Sequence, residues 1–404
     1  MTDPVRRTLY RDAALADGRS DRLRLGISVL VDGGRIAWIR PTDAEEDSGD
    51  AEVVDAGGAT IVPGMVDAHS HLTLPGGSHW IERVSDPPSV LVEVAARNAA
   101  LMTSSGVRWA RDVGAPVGDD PVDGRRRALS LGVRDRARGR PGWPHIRAAG
   151  AWIGSTGALD AWSVEAQGGD ELVAAVERQL DDGADFIKLY LDGADPAVCP
   201  WSVDEIERAV AAAHARGATV TAHSGRIDGA RKGVAGGVDA IEHGFELDDD
   251  VARDMASRGT FLVSTVAVFR SWASFGSTTR IERFTGDEGR ERMGARREAA
   301  VASVATARRH GVKIAAGTDF GGGSLRANQL TWEVESLVEA GLESWEALAA
   351  ATWRGGELLG EADAGTLRDG GPADFVLVHG DPLSDPGALW RVWRVSWAAE
   401  PEPV

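Results

Sequence analysis

Residues 61–72 read Ile-Val-Pro-Gly-Met-Val-Asp-Ala-His-Ser-His-Leu, and the rest of the chain is best read outward from this stretch. An apolar run leads into two histidines, His69 and His71, spaced two apart. An extended backbone points both side chains to the same face. Downstream, short apolar runs alternate with Ala- and charge-rich stretches of helical character, the pattern of repeated βα units. Strands are predicted at 61–68, 107–113, 145–153, 186–191, 219–222, 240–242, 261–266 and 313–317. Helices are predicted between them at 89–104, 170–182, 202–216, 227–235, 248–257 and 289–310, several opening on Asp or Ser as caps. Eight such strands with helices outside predict an α/β chain built on a (β/α)8 TIM barrel, whose chemistry sits at the C-terminal strand ends. Both chain ends read instead as strands and turns, for example LGISVLVDGGRIAWIRP (25–41) and PADFVLVHGDP (372–382).

Composition narrows the function. The chain has 404 residues, 43% of them hydrophobic, so a large core is available. A formal charge of −18 argues against a protein that lives on phosphate backbones, so no nucleic-acid partner is expected. The first residues, MTDPVRRTLYRDAALADG, hold no apolar leader, and no run of about 18 apolar residues occurs, so no membrane partner is expected. A single cysteine, Cys199, fits a reducing compartment, and a cytoplasmic location is expected. Of 44 basic residues only Lys188, Lys232 and Lys313 are lysine. A lysine amine can lose its proton and act as a nucleophile, whereas a guanidinium in practice cannot.

Placed on the predicted strands, the chemistry-bearing residues converge. His69 and His71 follow the first strand, Lys188 lies in the fourth (FIKLYL), His223 ends the fifth (TAHS), His243 ends the sixth (IEHG) and Asp319 follows the eighth (AGTD). Four imidazoles, a carboxylate and a lysine at one barrel mouth make poor sense as packing and good sense as metal ligands. This series, with IVPGMVDAHSHL, RDVG, IEHG, AGTDFG and PADFVLVHGDPL, resembles the amidohydrolase superfamily, and within it the imidazolonepropionase-like and Xaa-Pro dipeptidase-like (prolidase-like) group. The likeness covers nearly the whole chain.

The resemblance implies a small β-sandwich built from residues 1–60 and 361–404, flanking a metal-dependent barrel over 61–360. It also implies two divalent metal ions. His69, His71 and Asp319 would hold one, His223 and His243 the other, and Lys188, carboxylated on its amine, would bridge both. Zinc is the expected ion, with manganese or cobalt also compatible with the bridging oxygens. A hydroxide shared between the metals would be the nucleophile, and Asp319 would take its proton and hand it to the leaving nitrogen. The implied activity is hydrolysis of an amide-type C–N bond in a peptide, an N-acyl amino acid or a cyclic amide. Ester, lactone or organophosphate hydrolysis would use the same site. A mononuclear deaminase would need a Glu three residues after His223, where this chain has Arg226. A non-catalytic scaffold would not need all six ligand positions filled. Asp112 and Glu242 are read as groups that support either the ligands or the fold.

Substrate contacts are less constrained. Relatives usually carry a Gly-Gly-His run after the third strand and often a Tyr two residues beyond the fifth-strand histidine; here Leu159 and Gly225 stand at those places. Arg226 is a candidate carboxylate clamp, and His79 a candidate mouth residue. Fourteen Trp accompany only two Tyr. Trp80, Trp152, Trp162, Trp201 and Trp272 fall near strand ends, and of these Trp152, Trp162 and Trp272 are the candidates for an aromatic pocket wall. The expected partner is a small-molecule substrate, and nothing in the chain speaks against a homo-oligomer.

Overall fold

The computed structural model describes residues 7–159 and 163–398. The opening segment splits at Gly64. Ala59–Pro63 pairs antiparallel with Phe375–His379, whereas Met65–Ser70 pairs parallel with Val107–Asp112. One predicted strand is therefore two, in different sheets. The crossing is tight: a Cβ on Gly64 would lie 2.8 Å from Arg108 Cβ and 3.0 Å from the Trp397 ring, so only glycine fits.

Met65–Ser70, Val107–Asp112 and His145–Ala148 form one parallel sheet. Ile187–Tyr190, Val220–Ser224, Ala240–His243, Phe261–Ser264 and Ile314–Ala316 follow in that order in a second. Two short strands, Ile153–Gly154 and Val164–Glu165, extend its near edge. Backbone bonds connect the two sheets at both margins: Asp185 N donates to Ala148 O at 2.9 Å, and Asp319 N to His69 O at 2.8 Å. Asp67 adds a side-chain tie between the first and last of these strands, accepting from Thr318 Oγ1 at 2.7 Å and Thr318 N at 3.0 Å.

Two of the intervening helices carry the predicted caps. Ser202 caps Val203–His214 in a reciprocal box with Glu205, and Asp248 caps Asp249–Arg258 by accepting from Val251 N. Apolar stripes of these helices cover the parallel sheets, in a core running from Ala16 to Leu389. No described helix is long and apolar enough to cross a membrane.

The chain ends meet in a seven-stranded sheet. Thr8–Leu15, Arg24–Asp32, Arg35–Pro41, Glu52–Asp55 and Ala59–Pro63 come from the N-terminal end, Phe375–His379 and Val392–Ser396 from the C-terminal end. Hydrogen bonds thus join strands of both chain ends in one sheet. Thr8–Leu15 pairs with both Glu52–Asp55 and Ala59–Pro63, and the sheet shares a core of its own, with Tyr10, Ile36, Ile61, Phe375 and Leu377 buried. Full burial of side chains such as Ile61 and Phe375 contributes about 1.5–3 kcal/mol each.

Candidate metal centre

The parallel strands deliver the six predicted ligands to one cavity of about 240 Å³, lined by His69, His71, Lys188, His223, His243 and Asp319. His69 Nε2 and His71 Nε2 each stand 3.4 Å from Asp319 Oδ1. Ligand atoms of these three residues lie within 4.8 Å of one another. The His243 ring sits 4.7 Å from that of His69 and 4.5 Å from that of His223, so the second pair continues directly from the first.

Each imidazole is aimed by its other nitrogen. His71 Nδ1 donates to Gly114 O at 2.7 Å, which leaves Nε2 free for a ligand. His69 Nδ1 meets Glu242 Oε2 at 2.6 Å, His243 Nδ1 meets Thr265 Oγ1 at 2.8 Å, and His223 Nε2 meets Asp192 Oδ2 at 3.2 Å. Such outer partners fix ring orientation and tautomer at metal sites. Glu242 is itself held by Arg111 Nη1 at 2.5 Å and by Thr221 Oγ1. Asp112, by contrast, accepts from Leu72 N and Gly114 N and so shapes the loops rather than a ligand.

The backbone is also specialised here. Besides Asp12, the described non-glycine residues with positive φ are His243 (69°) and Asp319 (55°), two of the predicted ligands. Such conformations cost about 1–3 kcal/mol and persist where the surroundings over-determine them, as at functional sites. Opposite Asp319, a Cβ on Gly322 would lie 2.5 Å from Asp319 Oδ1 and 2.5 Å from His71 Cδ2. The absent side chain leaves room beside the ligand atoms.

Electrostatics favour ligation at the second pair, whereas at His69 burial and Lys188 oppose protonation but Glu242 and Asp319 outweigh them and raise the pKa. Burial lowers the pKa of His223, and burial together with the neighbouring His223 and His69 holds His243 well below its usual value, so both rings are neutral as metal binding requires. Burial opposes ionisation of Asp319, but His69, His71 and His243 outweigh it and hold the carboxyl well below the usual range. Lys188 is 1% exposed and its Nζ has no hydrogen-bond partner among the described residues. Burial pushes its ammonium down to about 8. An amine that sheds its proton near neutral pH, alone in a ring of imidazoles, suits carboxylation and metal bridging. On these grounds the residues present fit divalent metal ions.

The other predicted contacts divide. Trp152 and Trp272 line the cavity, and the Trp152 ring lies 5.3 Å from His71. Trp162 lies outside the described residues. His79 does not line the cavity: its side chain is 64% exposed, because it precedes the short helix Trp80–Arg83, which turns Trp80 inward in its place. Trp201 is buried in the core, with Nε1 donating to Ala166 O. Arg226 is also off the cavity wall, its guanidinium paired with Glu246.

Several lining residues escaped the sequence reading. Tyr190 stacks on His223 with ring centroids 3.9 Å apart. Its signal was available, since it lies two residues from Lys188 in the same strand and shares its face. Phe245 and Arg296 also line the cavity, and no local pattern marked either.

Comparison with known proteins agrees with this geometry. The amidohydrolase family description matches residues 60–395. An uncharacterized protein of Mycobacterium tuberculosis is 30% identical over 336 residues, covering 82% of each chain. An imidazolonepropionase of Anaeromyxobacter sp. (strain K) is 25% identical over 93% of this chain and 90% of that one. A crystal structure of a Xaa-Pro dipeptidase with bound methionine superposes with a TM-score of 0.82 at 25% identity, covering 97% of this chain and 98% of the other. The chain is a hydrolase by this kinship, and it belongs to the amidohydrolase family, in its prolidase-like part.

Proposed function

We propose that this chain is a metal-dependent hydrolase that cleaves an amide-type C–N bond of a small substrate. In this reading the eight parallel strands close into a (β/α)8 barrel, and the sheet of both chain ends folds over its core as the small β-sandwich. His69, His71 and Asp319 would hold one divalent ion and His223 and His243 a second. Lys188 would bridge the two after its unprotonated amine adds to carbon dioxide, forming a carbamate and releasing one proton. The observation that carries the reading is the Lys188 amine itself, buried with no hydrogen-bond partner among the described residues while the four histidines around it each have one.

Bound there, divalent ions supply Lewis acidity and lower the pKa of water from about 15.7 towards 7. The protein's own groups do the rest. Asp319 shares Oδ1 with His69 and His71, so Oδ2 is the atom placed to accept a proton from attacking water and return it to the departing nitrogen. Glu242 and Thr265 keep the rings of His69 and His243 in place. Trp152 and Trp272 exclude water from the reacting bond and bind the apolar part of the substrate. Arg226 stands where a ring-protonating Glu would serve a deaminase, and its pairing with Glu246 gives that chemistry no proton donor.

Protein produced with zinc or manganese and bicarbonate should carry two metals per chain by elemental analysis. It should hydrolyse members of a panel of N-acyl amino acids, dipeptides and cyclic amides. Only trace metal under those conditions would sink the proposal.

A further inference from the structure

One guanidinium in the cavity makes no ion pair among the described residues. Arg296 lies in the helix Asp287–Arg309 and lines the cavity with Tyr190, His223 and Trp272. Along the same helix Arg290 pairs with Asp287, Arg297 with Glu339, Arg308 with Glu346 and Arg309 with Asp249. Arg296 is half-buried, yet has neither an ion pair nor a hydrogen bond among the described residues. Its ring contact, with Phe269, is distant at 5.9 Å. The nearby acids are already engaged. Asp192 is held by His223 Nε2 and Gly225 N, and Glu246 by Arg226. Burial, then the charge of Arg226, lowers the pKa of the Arg296 guanidinium, which an incoming anion would relieve.

Its place is informative. A Cβ on Gly225 would stand 3.9 Å from Arg296 Nη2. Gly225 carries no side chain, so the guanidinium reaches the space that one there would enter. The cavity therefore has an apolar side, where Trp152 packs near His71, and a cationic side next to the His223 strand.

We infer that Arg296 is the anion-binding residue of this cavity, and that the substrate joins an apolar group and a carboxylate across the scissile bond, as an N-acyl α-amino acid does. The inference rests on the hydrolase reading for the bond cleaved, but not for the anion site. A planar guanidinium with free N–H donors can hold a carboxylate through two parallel hydrogen bonds.

The test compares metal-loaded wild type with Arg296→Gln and Arg296→Lys, using 3-phenylpropanoate and its neutral counterpart 3-phenylpropanamide as probes in calorimetric titrations. Arg296→Gln should weaken the acid on the order of 10- to 100-fold and the amide by less than about 3-fold, with Arg296→Lys between. Hydrolysis of N-acetyl-L-phenylalanine should show the loss mainly in KM, whereas N-acetyl-L-phenylalaninamide should be little affected. Equal loss for both probes, unchanged acid binding, or no acid binding by wild type would overturn the anion site. Acid binding that depends on Arg296 without cleavage of any amide would keep the anion site and remove the hydrolase reading. Amide cleavage indifferent to Arg296 would do the reverse.

Discussion

Replacing Glu242 by Gln perturbs the ligand cluster from behind. Glu242 is fully buried and accepts from Arg111 Nη1 at 2.5 Å, from Thr221 Oγ1, and from His69 Nδ1 at 2.6 Å. Gln keeps the shape and one acceptor oxygen. It leaves the Arg111 charge, itself 4% exposed, with the Ala68 carbonyl at 3.3 Å and the face of Phe186 at 4.3 Å as partial compensation. Removing one partner of a buried ion pair costs about 3–5 kcal/mol, most of it the stranded charge. His69 also loses the anion that orients it, which should weaken metal binding about 10- to 100-fold. Arg111→Met combined with Glu242→Gln removes both charges. The double variant should recover most of the stability and little of the metal affinity, which separates the two effects. Urea unfolding of chelator-treated protein measures the first, competitive metal titration the second. The pH dependence follows in sign. Burial opposes ionisation of Glu242, but Arg111, Lys188 and His69 hold its pKa well below the ordinary 4.5. Its contribution is present above that value and lost as pH falls below it, so Glu242→Gln should blunt the acid sensitivity of the wild type. Identical urea midpoints and identical metal affinity for wild type and Glu242→Gln would refute the reasoning.

Other substitutions probe separate parts of the site. Lys188→Met should lower metal content and abolish a carbamate signal in carbon-13 NMR after labelled bicarbonate, without loss of fold by circular dichroism; two metals per chain in this variant would refute the bridge. Gly322→Ala places a Cβ 2.5 Å from Asp319 Oδ1 and should cost metal occupancy while leaving the secondary structure intact. Glu333, buried against Ser264 Oγ and Ala267 N, has its pKa pushed up to about 8 by burial. The unfolded chain ionises there from about 4.5 while the fold keeps the proton, so stability falls as pH rises between those values. Glu333→Gln should remove that decline and be worth about 3 kcal/mol at pH 7, read from urea midpoints across pH 5–8.

The side chains that gather in the cavity were legible because they obey local rules. A two-residue spacing puts His69 and His71 on one face, and His223, His243 and Asp319 each close a short apolar run. The scarcity of lysine singled out Lys188. Where local rules are silent the reading failed. His79 and Trp80 are neighbours at the start of the short helix Trp80–Arg83, and the turn that exposes one and half-buries the other is tied to a distant part of the chain, where Arg283 Nη2 donates to Ser78 O. Arg226 looked like a clamp because nothing nearby in sequence announced Glu246 as its partner.

From the sequence alone came the alternation of strands and helices, the strand ends that carry metal-ligating side chains, and the kinship that follows from them. Periodicity and spacing are properties of adjacent residues, so they survive without coordinates. Tertiary structure decided which nitrogen of each histidine is free, that Glu242 and Arg111 stand behind His69, and that Lys188 Nζ has no hydrogen-bond partner among the described residues. It also split the opening segment at Gly64 and brought Arg296, 71 residues beyond Gly225, into the space beside it. Those outcomes depend on contacts between distant parts of the chain, where close packing and the pairing of buried charge choose among arrangements that the local sequence permits equally.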